Sequence, residues 1–235
     1  MRQLELKPEQ IIVPGEYELG SESILKIYFR IFDKGHGIDL PPVIVVGQST
    51  EGQKNKEYLN RLRERYCHIK KYLGYQLEEL PQNFTEEDVN TLLNNGLKRE
   101  IDAMNKYKIQ DLVDYRFPEL KRRYAQLIEK TSQASYYLID GNHRAVAAAL
   151  THNPIYAIEL QNDKDLNKVR KMVKCGELFE FNRDETSLQE LVLEFDDYLL
   201  NNIEDCMTIQ QRVDKLTSNG DLPEYIKIKY LENRI

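Results

Sequence analysis

Apolar and polar positions along the chain separate short strands from longer helices. Leu4-Glu-Leu-Lys alternates as a strand until Pro8 ends it, and Ile11-Ile-Val13 is a second apolar run closed by Pro14-Gly15. Ser21 is placed as the N-cap of a helix over Glu22–Phe32, with Ile24, Leu25, Tyr28, Phe29 and Phe32 on one stripe. Leu40–Val46 is apolar on both faces, as a buried strand is, with Pro41 and Pro42 confined to its start. Helical patterns then dominate. One runs near Lys54–Leu73, one starts at Thr85 and stops at Asn95-Gly96, one covers Leu97–Tyr115 and ends before Pro118, and one covers Glu119–Lys130.

Tyr136–Ile139 is a short β-prone run, Asp140-Gly141-Asn142 a turn cluster, and Arg144–Leu150 a run of small, strong helix formers. A strand over Ile155–Leu160 follows, then a helix capped by Asp163 and closed by Gly176. A capping box at Thr186-Ser187 starts a helix reaching about Ile203, and Thr208–Thr217 and Pro223–Glu232 form a helical tail. The pattern predicts an α+β fold. Strand patterns fall within residues 1–50 and 134–162, helical patterns alone fill 51–133, and 163–235 reads as a helical C-terminal region.

At 235 residues and 41% hydrophobic content the chain can bury one sizeable core. No apolar run approaches ~18 residues, so no membrane span is expected. The opening Met1-Arg-Gln-Leu-Glu-Leu-Lys-Pro has charges where a signal peptide would be apolar, and a cytoplasmic location is expected. Cys67, Cys175 and Cys206 are isolated and read as reduced thiols. A net charge of −6 argues against nucleic acid as the main ligand, since phosphate neutralisation needs a basic face. One helix is an exception: Lys54, Lys56, Arg61, Arg63, Arg65, Lys70 and Lys71 face only Glu57 and Glu64. It reads either as a solvated face or as an arm meeting phosphate, DNA or an acidic partner.

The chemistry concentrates where strand gives way to helix. Asp140, Gly141, Asn142, His143 and Arg144 supply a carboxylate, a glycine, an amide, an imidazole and a guanidinium in consecutive positions. Free N–H groups and the positive helix end favour an anion there, and His143 and Arg144 add donors suited to phosphate oxygens. The plainer alternative is that Asp140 is an N-cap, Asn142 a turn former, and His143 and Arg144 a solvated first turn. His36 and His68 have no metal-type companion, and Glu194, Asp196 and Asp197 read first as exposed helix acids rather than a metal set.

Asp140-Gly141-Asn142-His143-Arg144 followed by small residues resembles the signature turn of the ParB/sulfiredoxin superfamily. Leu4–Ile12, Leu40–Val46 and Ile155–Leu160 are similar to that family's flanking strands, in the same order. The resemblance implies a small mixed sheet core formed by residues 1–50 and 134–162, with 51–133 a helical insertion into it, and a bound nucleotide, ATP or another, accompanied by Mg²⁺. Asn142 stands where sulfiredoxins carry their nucleophilic cysteine, so sulfinic-acid repair is not implied. Asn142 and His143 also replace the Glu and first Arg of chromosome-partition members, and no helix-turn-helix is legible. The turn looks more like that of the free serine kinases, although Asn142 departs from their usual His. That branch implies phosphoryl transfer to a small hydroxyl-bearing molecule. Gly141, Asn142, His143 and Arg144 would hold the nucleotide, and Asp140 and His143 would serve catalysis. A glutamate near the first helix would assist, with Glu16, Glu18 and Glu22 all candidates. The alternative is a nucleotide-gated DNA-binding or regulatory protein without catalysis.

Overall fold

The computed structural model describes residues 1–14, 21–72, 106–179, 181, 183 and 187–232; within helices 51–72 and 106–131 the side chains described are those of 51–61, 64 and 119–131. Six strands form one mixed sheet: β1 (Arg2–Leu6), β2 (Ile11–Pro14), β3 (Val43–Gly47), β4 (Tyr136–Asp140), β5 (Ile155–Leu160) and β6 (Cys206–Thr208), in the order β1-β5-β3-β4-β2-β6. β3 runs parallel to β5 and antiparallel to β4, and β2 lies parallel beside β4. Among the described residues eight α-helices accompany the sheet. They are α1 (Glu22–Asp33), α2 (Glu51–Tyr72), α3 (Lys106–Thr131), α4 (Asn142–Leu150), α5 (Asp163–Lys174), α6 (Leu188–Asn201), α7 (Ile209–Asn219) and α8 (Glu224–Glu232). None is long and apolar enough to cross a membrane.

The chain divides into two compact units, residues 1–48 with 129–235, and residues 49–128. In the first, period-two alternation sends Leu6, Val13, Val43, Val45, Leu138, Ile155 and Ala157 to one side of the sheet, against α1, α4, α7 and α8. On the other side Tyr137 stacks on Phe195 of α6, with ring centroids 5.5 Å apart, and α5 lies along β5. α4 is the central helix. Every residue from Arg144 to Leu150 is buried, and its alanines let α1 and α7 approach closely. It ends in a Schellman turn: Asn153 N–H bonds Ala148 O and His152 N–H bonds Ala149 O. His152 takes the left-handed conformation there (φ 55°) and stacks on Tyr230 of α8.

In the second unit α2 and α3 meet through Tyr58 and Tyr124, whose rings lie 5.3 Å apart. The helix break expected before Pro118 does not occur, and α3 runs through it. An interior proline forfeits one backbone bond, and burial of Leu120, Tyr124 and Leu127 just beyond outweighs that loss. The basic surface is also thinner than the sequence suggests. Lys54 is only 3% exposed, and Arg61 pairs with Glu57 at 3.2 Å. The side chains of Arg63, Arg65, Lys70 and Lys71 lie outside the described residues, as do the features read at Thr85, Asn95 and Gly96.

The C-terminal region departs from the expected purely helical one. β6 adds to β2 as an antiparallel edge strand, and three residues are too few to show a period. Thr208 then starts α7 with a capping box to Gln211. Met207, Ile209, Val213, Leu216, Ile226 and Tyr230 join the same core as α4, so this region and the sheet are one unit. α5 is capped at Asn162 rather than Asp163, whose carboxylate instead accepts from Leu188 N–H at 2.8 Å. On α1, Ser21 caps as expected, but Ile24 is 42% exposed, and the buried stripe is Leu25, Phe29 and Phe32.

Candidate functional site

β4 and α4 join at a single residue, Gly141, and three features of the sequence make that junction tight. First, β4 carries a bulge. Its pairing to β3 passes from Val45–Leu138 to Ile44–Asp140, so Ile139 is the extra residue and Asp140 is re-aimed. Second, Gly141 is the N-cap of α4 with φ 98° and ψ 29°, a left-handed conformation natural only to glycine. A Cβ there would lie 2.7 Å from Val43 Cγ1 and 3.0 Å from Arg144 Nη2. Third, having no side chain, Gly141 cannot cap the helix, whose first backbone bond is Ala145 N–H to Gly141 O. The N–H groups of Asn142, His143 and Arg144 precede that bond and point out of the helix start.

The topology places a second helix start at the same edge. β2 and β4 are parallel neighbours, so their carboxyl ends, Pro14 and Asp140, leave the sheet on one side. α1 and α4 pack side by side, and their far ends are tied by Asn153 Nδ2 donating to Phe32 O at 3.4 Å. Both helices therefore begin at the edge where open sheets hold ligands, with their positive dipole ends on the same side.

The expected site residues divide in two. Arg144 does not present itself to solvent. It is 4% exposed, and its guanidinium donates from Nη2 to Asp140 Oδ2 at 2.6 Å and from Nη1 to Pro41 O and, at 3.0 Å, to Pro42 O. The ring of Phe179 covers it, 5.5 Å from the guanidinium carbon. Arg144 is thus a clasp joining the strand end of β4 to the Pro41-Pro42 entry of β3. Asp140, its side chain 25% exposed, ends β4 rather than capping α4. His143 is half-buried, with Nε2 enclosed and without a hydrogen-bond partner, and burial pushes its pKa below the ordinary imidazole value. An imidazole that burial biases toward the neutral form therefore stands in the first turn of α4.

Elsewhere the candidate groups resolve into structural roles. Asp196, read as part of an acid cluster, is buried and accepts from Tyr137 Oη at 2.5 Å, while Glu194 lies 3.7 Å from Arg183. Burial and the Asp196 carboxylate push the Tyr137 phenol well above its ordinary pKa. His36 is exposed and sits 3.2 Å from Asp39. The side chain of His68, and Glu16 and Glu18, lie outside the described residues; Glu22 forms an i,i+4 ion pair with Lys26. Among the described residues no three His, Cys, Asp or Glu side chains converge as a metal cage. A Mg²⁺ arriving with a nucleotide needs only one or two protein carboxylates besides phosphate oxygens, and Asp140 is the carboxylate this turn offers. Comparison of the chain with protein-family models, curated proteins and solved structures finds no match.

The sequence reading missed the carbonyls of Pro41 and Pro42 as acceptors and Phe179 as a cover. The proline pair was visible as a strand entry, but nothing local says which side chain its carbonyls receive. Phe179 stands in the run Leu178-Phe179-Glu180-Phe181, whose alternation is too short to assign.

Proposed function

We propose that this protein binds the phosphates of a nucleotide at the start of α4. The observation that carries the reading is Gly141: a left-handed cap without a side chain, at the carboxyl end of a strand, whose carbonyl takes the Ala145 N–H and so starts α4 with the His143 and Arg144 amides at its positive end. The Asp140–Arg144 pair supports it electrostatically. A lone carboxylate beside the helix start would repel an anion, and the guanidinium at 2.6 Å cancels that charge while leaving the dipole and the amides. His143 supplies an imidazole nitrogen in need of a partner. ATP or CTP is the ligand class that the likeness to ParB/sulfiredoxin proteins implies.

Phosphoryl transfer to a small hydroxyl-bearing acceptor is the extension of this reading. It assigns Asp140 to orient the acceptor and His143 to the transferred group, and it requires the Asp140 carboxylate to serve substrate while still bonded to Arg144. Binding stands without that requirement. The nucleotide-gated DNA-binding alternative draws on the basic residues of α2, two of which, Lys54 and Arg61, are already buried or paired.

Titration calorimetry with ATP, CTP and tripolyphosphate, with and without Mg²⁺, tests the proposal. Sub-millimolar binding accompanied by amide-exchange protection at residues 142–144 is expected. No heat and no rise in melting temperature at millimolar ligand would overturn it. Release of ADP with a phosphorylated acceptor, abolished in Asp140→Asn, would establish the transferase extension.

A further inference from the structure

Phe179 is out of place as an exposed residue. Its neighbour Leu178 is 2% exposed and anchors the segment after α5, yet the Phe179 ring itself is 59% exposed. One face of the ring is occupied, because the Arg144 guanidinium carbon lies 5.5 Å from its centroid. The guanidinium is fixed in turn by Asp140 and the Pro41 and Pro42 carbonyls. The ring is therefore backed by a fixed planar cation at the turn that opens α4, while more than half of its surface meets solvent.

We infer that Phe179 is the platform on which the planar ring of the ligand stacks, so that the site takes a phosphate ester carrying a heterocyclic base rather than a bare phosphate or a sugar phosphate. The inference rests on the phosphate reading of the α4 start and adds the other half of the ligand. Two observations select a flat ring over an aliphatic group. An aromatic face backed by a guanidinium offers a π-surface to a second aromatic ring, and Arg144 ties the platform to the phosphate seat through a single side chain. A ligand spanning both would bury the large apolar side chain left exposed beside this turn.

The experiment compares a ligand with a base against one without. Binding of ATP, CTP and tripolyphosphate is measured for the wild-type chain and for Phe179→Leu, which keeps apolar bulk over Arg144 but removes the π-face. Wild-type protein should hold the nucleotides more tightly than tripolyphosphate. Phe179→Leu should weaken the nucleotides by roughly five- to hundredfold, the range of one base–aromatic stack, and leave tripolyphosphate unchanged. Phe179→Tyr should keep the wild-type preference. If tripolyphosphate binds as well as the nucleotides and Phe179→Leu alters neither, the platform falls and the phosphate seat stands. If Phe179→Leu weakens all three equally, Phe179 only shields Arg144 and the inference is overturned. If none of the three binds wild-type protein, seat and platform fall together.

Discussion

Asp140 and Arg144, four residues apart on either side of a left-handed glycine, are joined by a 2.6 Å bond between carboxylate and guanidinium. The pair is nearly buried on the arginine side, and the same guanidinium donates to two proline carbonyls that lie just before β3. Removing one partner of such a pair leaves an uncompensated charge or unbonded carbonyls, at a cost of about 3–5 kcal/mol. Arg144→Lys should not restore it, because one ammonium cannot meet three acceptors spread over a planar fork. Urea unfolding of both Arg144→Met and Arg144→Lys should show losses within about 1 kcal/mol of each other. A Lys variant as stable as wild type would mean the fork geometry is immaterial.

Gly141 carries two independent constraints, so its replacement should be additive in cost. The left-handed φ of 98° penalises any Cβ by about 1–3 kcal/mol, and the 2.7 Å approach to Val43 adds overpacking of similar size. Gly141→Ala should therefore lose about 2–6 kcal/mol. The double variant Gly141→Ala with Val43→Ala should recover the overpacking part only. Full recovery would show that backbone conformation contributes nothing there.

These two residues also mark how far the sequence could be read. The order of strands and helices around the turn follows from apolar runs, turn residues and caps, because each leaves a local signature. Ser21 and Ser187 do cap their helices, accepting from Ile24 and Glu190 N–H. What a local signature cannot carry is the destination of a long side chain. Arg144 looks like a ligand donor from composition and becomes a clasp because Pro41 and Pro42, far away in the chain, bring carbonyls with no strand partner. Asp196 looks like an exposed acid and turns inward because Tyr137 needs an acceptor. β6 was invisible for a different reason: three residues paired to β2 owe their strand geometry to the sheet edge, not to their own pattern.

Tyr137 and Asp196 form the corresponding polar contact on the other side of the sheet. Tyr137→Phe would leave a buried carboxylate without its 2.5 Å donor, at a cost of about 2–3 kcal/mol, whereas Tyr137→Phe with Asp196→Leu should recover much of it. Chemical denaturation of the single and double variants measures the coupling. Additive losses would show that the two groups do not act as a pair.

Asp165 should contribute to the acid limb of stability. Burial alone would raise its pKa, but the Met1 ammonium at 2.7 Å, Gln161 N–H at 3.0 Å and Lys168 Nζ at 3.2 Å outweigh burial and hold it at about 2. Its ordinary value is 3.8, so the stabilisation is complete above that and is lost as pH falls through it toward about 2. Asp165→Asn should cost roughly 1–3 kcal/mol at pH 7 and much less at pH 2. A variant whose deficit stays constant between these pH values would remove the carboxylate's charge from the explanation.

His143 links fold and ligand through one proton. Its pKa is depressed in the folded chain by burial, so between that value and the ordinary 6.5 the unfolded chain binds a proton that the folded chain refuses. Stability should therefore fall as pH drops below about 6.5 and level off once the folded-state value is passed. His143→Gln, which keeps a polar side chain of similar reach and cannot titrate, should flatten that part of the profile. An anion seated at the α4 start reverses the sign, since its charge favours the imidazolium and raises the pKa toward or above the ordinary value. Nucleotide binding should then take up a proton and tighten as pH falls from 8 to 6. Imidazole resonances of His143, followed by NMR with and without tripolyphosphate, give both values directly. If the pKa is the same in the two titrations, phosphate does not sit beside His143.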